Sequence, residues 1–280
     1  MEKKIKTIKS FTSYHDSPEE NYLNSFIEYD QAGNVIKTEA YSGSNELESK
    51  TETKYNEEGK IISEINYMSL DEVSEELIYE RNAEGNISKI TVKYADGSYS
   101  IKTYTRTDND KSVQIEITDD EGEFEGREFF KLNDKGEILE KKIIDYNESI
   151  EEYQVNEFND FGKIAKQTEY SEDGLEFETI FKYNDNQQLV SRIKINRNKE
   201  LVEKINLKYD DKGNVTEQLF NDSYLIKLDY NEQGEVIREE RINSQGLTEN
   251  LTESIFNEDN LLQEEVNGIF RVVYKYEFFD

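Results

Sequence analysis

The sequence predicts an all-β protein. Tandem two-stranded repeats of about 26 residues should form one long curved or superhelical antiparallel sheet of about 20–22 strands. Three observations predict it. A turn motif recurs ten times, every copy is followed by an aliphatic residue at a fixed place, and no segment carries a helical period.

The motif is an aromatic residue, Asn or Asp, two mostly polar residues, then Gly. It reads YDQAG at Tyr29, YNEEG at Tyr55, RNAEG at Arg81, LNDKG at Leu132, FNDFG at Phe158, YDDKG at Tyr209 and YNEQG at Tyr230. Degenerate copies begin at Thr107, Tyr183 and Phe256. Successive copies start 25 or 26 residues apart, except for one step of 21 after Tyr209. Asn or Asp opening a turn and Gly at its fourth position is the signature of a type I turn closed by a left-handed residue. In a hairpin that arrangement is a turn with a glycine bulge. Asn260 is a tolerable substitute for the Gly. Lys111 and Gln187 are poorer ones, so their two turns are expected to differ locally.

Two residues beyond the Gly position every copy is aliphatic, from Val35 and Ile61 to Val236 and Leu262. The aromatic and the aliphatic flank the same turn, so they are expected to share a face and build a ladder along the sheet. About ten residues further on comes a second turn signal, such as Ser42-Gly43-Ser44, Ala95-Asp96-Gly97 or Asn267-Gly268. Each repeat is therefore two strands and two turns. The stretches between, KIISEINY and LEFETIFKY among them, have the β-branched and aromatic content of strands.

Before Tyr29, IKTIKSFTSY and NYLNSFIEY flank a turn at His15-Asp16-Ser17-Pro18. With no Pro- or Gly-rich linker, residues 1–280 read as a single elongated repeat domain. A capping hairpin occupies residues 1–28 and ten hairpin repeats occupy residues 29–280. So many strands cannot stay flat, because strand twist has a fixed hand and open sheets seldom exceed ~10 strands without curling. The more apolar face is expected inside the curve. Two irregularities, the clipped unit after Tyr209 and the acidic, Phe-rich stretch from Asp119 to Phe130, mark a kink or a contact site.

Composition narrows the function. Only 34% of the chain is hydrophobic and 35% is charged, with a mean hydropathy of -0.92, too little apolar material for a thick core. Yet 19 Tyr, 14 Phe and a single Pro are unlike a disordered chain. A thin sheet reconciles the two. The net charge of -29 repels phosphates, so nucleic acid is not an expected partner. No stretch approaches the ~20 apolar residues needed to cross a bilayer, so membrane insertion is not expected either. A basic protein is. No basic start is followed by an apolar run, so an export signal is not expected and a cytoplasmic location is.

The repeated Y-[DN]-x-x-G-x-[IV], seen in Tyr29-Asp30 to Val35, Tyr55-Asn56 to Ile61, Tyr209-Asp210 to Val215 and Tyr230-Asn231 to Val236, resembles the YD repeats of bacterial Rhs-type proteins. MORN-like repeats are a second resemblance, by their two-strand unit. The Rhs resemblance covers nearly the whole chain through a short motif. It implies a curling β-sheet and a bacterial, toxin-related setting, since such repeats form a spiralling shell around a toxic domain in that family. This chain departs from it in its 26-residue unit and its ten copies.

No residue constellation demands an enzyme, and no cofactor is expected. His15 is the only histidine and sits in a turn, there is no Cys, and no phosphate loop or EF-hand spacing occurs. The 63 carboxylates single out no catalytic pair. The expectation is a non-enzymatic protein-binding scaffold, in its most specific form an immunity protein neutralising a basic toxin. Alternatives are a structural or surface-associated repeat protein and a carbohydrate-binding sheet. The candidate contact residues are Asp119, Asp120, Glu121, Glu123 and Glu125.

Overall fold

The structure is a computed structural model and describes residues 4–14 and 16–280. His15, expected to be a solvated turn residue, lies outside the described residues. The chain divides into two compact units. The first runs as far as Lys102 and resumes from Thr252 to Asp280; the second is Thr103–Leu251. The first holds β1 (Ile5–Tyr14), β2 (Ser17–Tyr29), β3 (Val35–Tyr41), β4 (Leu47–Tyr55), β5 (Ile61–Tyr67), β6 (Val73–Arg81) and β7 (Ile87–Tyr94). The chain crosses to the second unit along β8 (Tyr99–Thr107).

The second unit continues with β9 (Ser112–Thr118), β10 (Phe124–Leu132), β11 (Ile138–Ile144), β12 (Ile150–Phe158), β13 (Ile164–Ser171) and β14 (Gly174–Tyr183). Next come β15 (Leu189–Asn196), β16 (Leu201–Tyr209), β17 (Val215–Phe220), β18 (Tyr224–Tyr230) and β19 (Val236–Asn243). The chain returns along β20 (Thr248–Phe256) to β21 (Leu262–Asn267) and β22 (Phe270–Phe278) in the first unit. Each element is a strand, as the sequence predicts.

Within the second unit, consecutive strands from β9 to β19 pair antiparallel. Within the first unit the same holds from β1 to β7 and from β20 to β22. One pairing there corrects the expected open-ended sheet. β1 lies antiparallel against β22, from Ile5 opposite Phe278 to Tyr14 opposite Phe270. β1 thus has β2 on one side and β22 on the other, and neither terminal strand is an edge. The physical reason is that an open edge strand leaves a row of unpaired N–H and C=O groups, and joining the first strand to the last satisfies both rows.

The first turns follow the expected chemistry. At Asp30 the backbone N–H donates to the Asn34 carbonyl at 2.9 Å and the Gly33 N–H donates back to the Asp30 carbonyl at 3.0 Å. The Asp30 Oδ1 accepts from the N–H groups of Ala32 and Asn34 at 2.8 and 2.9 Å. Gly33 has φ +94°, a conformation costly for a residue with a Cβ. A register shift beside each turn sets the aromatic opposite the aliphatic: Tyr29 faces Val35, Tyr55 faces Ile61 and Tyr209 faces Val215. The same closure recurs at most second turns. Glu148 and Lys199 fill the left-handed place there with φ of +63° and +64°, turns with no glycine to announce them.

Of the two turns expected to be irregular, one is and one is not. Gln187 adopts φ +61° and donates its N–H to the Asn184 carbonyl at 2.9 Å, as a Gly would. The Lys111 turn is rebuilt: Asp108, Asn109 and Asp110 all have positive φ, at 54°, 53° and 65°.

The sheet is thin, as the composition requires. Among the described residues the buried apolar side chains are Ile90, Val92, Ile115, Ile144 and Leu228. Buried polar groups such as Ser10, Asn156 and Thr179 accompany them, hydrogen-bonded in part across strands: the Ser10 and Ser25 hydroxyls are 2.6 Å apart.

Candidate functional site

The aromatic ladder is the first place to look for binding, and its polar ends are occupied. The Tyr55 hydroxyl donates to the Val35 carbonyl at 2.8 Å, Tyr183 to Ile164 at 2.8 Å and Tyr209 to Leu189 at 2.6 Å. Tyr230 reaches Val215 and Tyr276 reaches Leu262, both at 2.7 Å. Each of the bonds from Tyr55, Tyr183, Tyr209 and Tyr230 ties the strand entering one turn to the strand leaving the turn before it, and that from Tyr276 ties β22 to the start of β21. Where the ring is not Tyr, other groups substitute. Arg81 donates to the Ile61 carbonyl at 3.3 Å, and Asn156, beside Phe158, donates to the Ile138 carbonyl at 2.9 Å. Burial raises the hydroxyl pKa of these five tyrosines above the usual phenol range, with help from nearby carboxylates at Tyr55 and Tyr230. The ladder joins repeat to repeat, which is why Tyr rather than Phe dominates it.

The acidic stretch is an ordinary second turn between β9 and β10. Asp119 Oδ1 accepts from the N–H groups of Glu121 and Glu123 at 3.0 and 2.7 Å, and Gly122 supplies φ +83°. Asp119 is half-buried and committed to the loop. Asp120, Glu121, Glu123 and Glu125 are exposed. The structure thus brings the five candidate residues together on one turn and leaves four of them on the surface. At comparable turns the loop itself steadies the acid. The Asn34 amide and the loop N–H groups hold the Asp30 carboxyl below its usual range, and the Asn214 backbone N–H leads the same effect at Asp210.

A second candidate emerges only from register. On β9 to β13, Gln114 stands opposite Phe129, Phe129 opposite Lys142, Lys142 opposite Tyr153 and Tyr153 opposite Tyr170. This row crosses one face, where the Tyr153 and Tyr170 rings stack at 5.3 Å. A hollow of about 340 Å³ opens over it, lined by Phe129, Lys131, Glu140, Lys142, Ile150 and Tyr153. Lys131 donates to Glu140 at 2.9 Å. Beside the row, Arg127 bonds Glu116 at 2.7 Å and lies 5.0 Å from the Phe124 ring centre. Counting outward from the turns at Asn133 and Asp145 would have found this row, but the sequence reading followed the residues nearest the turns.

A second hollow, about 520 Å³, adjoins it around Lys111, Lys131, Leu132 and Leu139. In the first unit, Met68, Leu70, Val73, Tyr94 and Tyr99 are exposed near the turns after β5 and β7. Among the described residues no group of three or more His, Cys, Asp or Glu side chains could hold a metal ion.

No protein-family model matches the chain, and no curated protein matches it. Solved structures do. A Tc holotoxin pore of Photorhabdus luminescens is 12% identical with a TM-score of 0.40, over 91% of this chain and 16% of that one. The crystal structure of TcdB2-TccC3-Cdc42 is 11% identical with a TM-score of 0.41, again over 91% and 16%. A porin-like protein from Bacteroides uniformis is 11% identical with a TM-score of 0.36, over 98% of both chains. This chain spans about a sixth of the length of the two toxin chains. At these scores the likenesses say nothing about what this chain does.

Proposed function

We propose that this repeat β scaffold binds a basic protein without catalysing a reaction, and that its finer role is that of a bacterial immunity protein holding a cognate toxin in the cytoplasm. The observation that carries the reading is charge: 63 acidic residues against 34 basic ones, on a sheet with little interior to hide them. Such a surface accelerates the capture of a cationic partner and disfavours acidic ones. The turn at Asp120, Glu121, Glu123 and Glu125 offers one exposed block of it.

The test is binding of the full chain to the product of the neighbouring gene, at 0.1 M and 0.5 M salt. Screening lengths fall from about 10 Å at 0.1 M to less than half that at 0.5 M. A basic partner whose affinity drops at least tenfold with salt, and drops again when the four turn acids are changed to Lys, supports the reading. Salt-independent binding, an acidic partner or no binding overturns it.

A further inference from the structure

The row Phe129–Lys142–Tyr153 combines features that a repeat sheet does not need for its own stability. Lys142 is half-buried, yet among the described residues it makes no hydrogen bond or ion pair. Its neighbours are matched: Lys131 with Glu140, Arg127 with Glu116, and Lys141 on the other face with Glu152. An unpaired cation is unexpected in a chain with nearly twice as many acids as bases. The hollow and its border therefore hold three cations, Lys131, Lys142 and Arg127, against two carboxylates, Glu140 and Glu116. A local excess of one positive charge survives the acidic whole, because distant charges are screened within about 10 Å. The Arg127 Nε is also buried without a partner.

The rings give the site its shape. Phe129 and Tyr153 lie on strands two apart, with Lys142 between them. Strand spacing puts their backbones about 10 Å apart. Their rings border the hollow on either side of the Lys142 stem, each offering a face on which a six-membered ring can pack. The hollow's 340 Å³ is within the range that holds small ligands. Ile150 closes one side with apolar surface.

We propose that this hollow binds a small ligand with a single carboxylate on a six-membered ring. The ring packs on the Phe129 and Tyr153 side chains that border the hollow, and the carboxylate accepts from the Lys142 ammonium. Two sources share that chemistry, an aromatic acid and the uronic acid of a glycan. The site is independent of the turn acids and of any protein partner.

The experiment is calorimetric titration of the full chain with 4-hydroxybenzoate and with methyl galacturonoside, each beside its neutral amide. Binding of either acid with its amide at least tenfold weaker is the expected result, and which acid binds identifies the source. Lys142→Gln should weaken the acid at least tenfold and leave the amide unchanged, while Lys142→Arg retains most of the affinity. Equal binding of acid and amide overturns the proposal, as does unchanged affinity in Lys142→Gln or silence from both acids at 10 mM on the order of a weak site's ceiling. Should Lys142→Gln melt early, the acid-against-amide comparison on the unaltered chain still decides.

Discussion

Two stretches of the second unit follow the same repeat with different fidelity. From β14 to β18, Tyr183, Tyr209 and Tyr230 each reach the carbonyl left by the preceding turn. Around β9 and β10 the repeat lapses. Leu132 replaces the Tyr and has no hydroxyl to offer Val113, and Lys111 replaces the Gly, so the turn is rebuilt from three left-handed residues. Two hollows, of about 340 and 520 Å³, border this lapse, and a third of about 380 Å³ lies in the faithful stretch around Asp210, Leu228 and Tyr230. A repeat sheet has little core, so a missing ladder ring is not backfilled from a second layer. The lapse therefore leaves its space open, as the hollow around Lys111 and Leu132 does.

The largest expected effect comes from breaking the faithful stretch. Tyr209→Ala removes a ring and a hydrogen bond and should cost about 3 kcal/mol, with Tyr209→Phe costing about 1. Urea melts of both variants read the split, and equal losses would refute a role for the hydroxyl. Gly213 comes next. It has φ +92°, and a Cβ there would stand 3.2 Å from the Gln188 Nε2. Gly213→Val should lose about 2 kcal/mol, whereas the same denaturation assay on Gln187→Gly should show a gain of less than about 1.

Repairing the lapse sharpens the comparison in the opposite direction. Leu132→Tyr restores the ladder ring and should stabilise by about 1 kcal/mol if its hydroxyl finds the Val113 carbonyl. A loss of stability would show that the rebuilt turn no longer admits the ring. The smallest effect is electrostatic. Hydrogen bonds from Lys166 and Lys199 hold the Glu178 carboxyl at about 2. A carboxyl lowered on folding contributes stability above its unfolded pKa of about 4.5 and loses it as pH falls towards 2. Glu178→Gln should therefore melt earlier than the unaltered chain at pH 7, by no more than about 1 kcal/mol for a solvent-screened pair. The gap should close between pH 5 and pH 2, and a constant gap would exclude the ion pairs as its cause.

Much of this was legible in the sequence. Asn or Asp and Gly at a fixed spacing dictate the turns, because few residues accept φ near +90° and few side chains bridge loop N–H groups. The aromatic and the aliphatic follow as direct partners, as Tyr29 and Val35 do. The turns closed by Glu148 and Lys199 were hidden, since Asp145 and Asn196 cap the loop strongly enough to carry a non-glycine through a left-handed conformation. The candidate site was the least legible part. Asp119 looked like a contact residue because acids stand out in a string of letters, but its carboxylate caps its own loop.

The sequence by itself determined the strands, their turns and the neighbour of each strand along the chain, because these depend on residues within one repeat of each other. Only the tertiary structure decided that β1 meets β22, and that Phe129, Lys142 and Tyr153 form one row. Strand register is relayed bulge by bulge through hydrogen-bonded ladders, and the backbone groups that join the two ends of the chain are identical in every residue, so no local pattern of side chains records where they will pair.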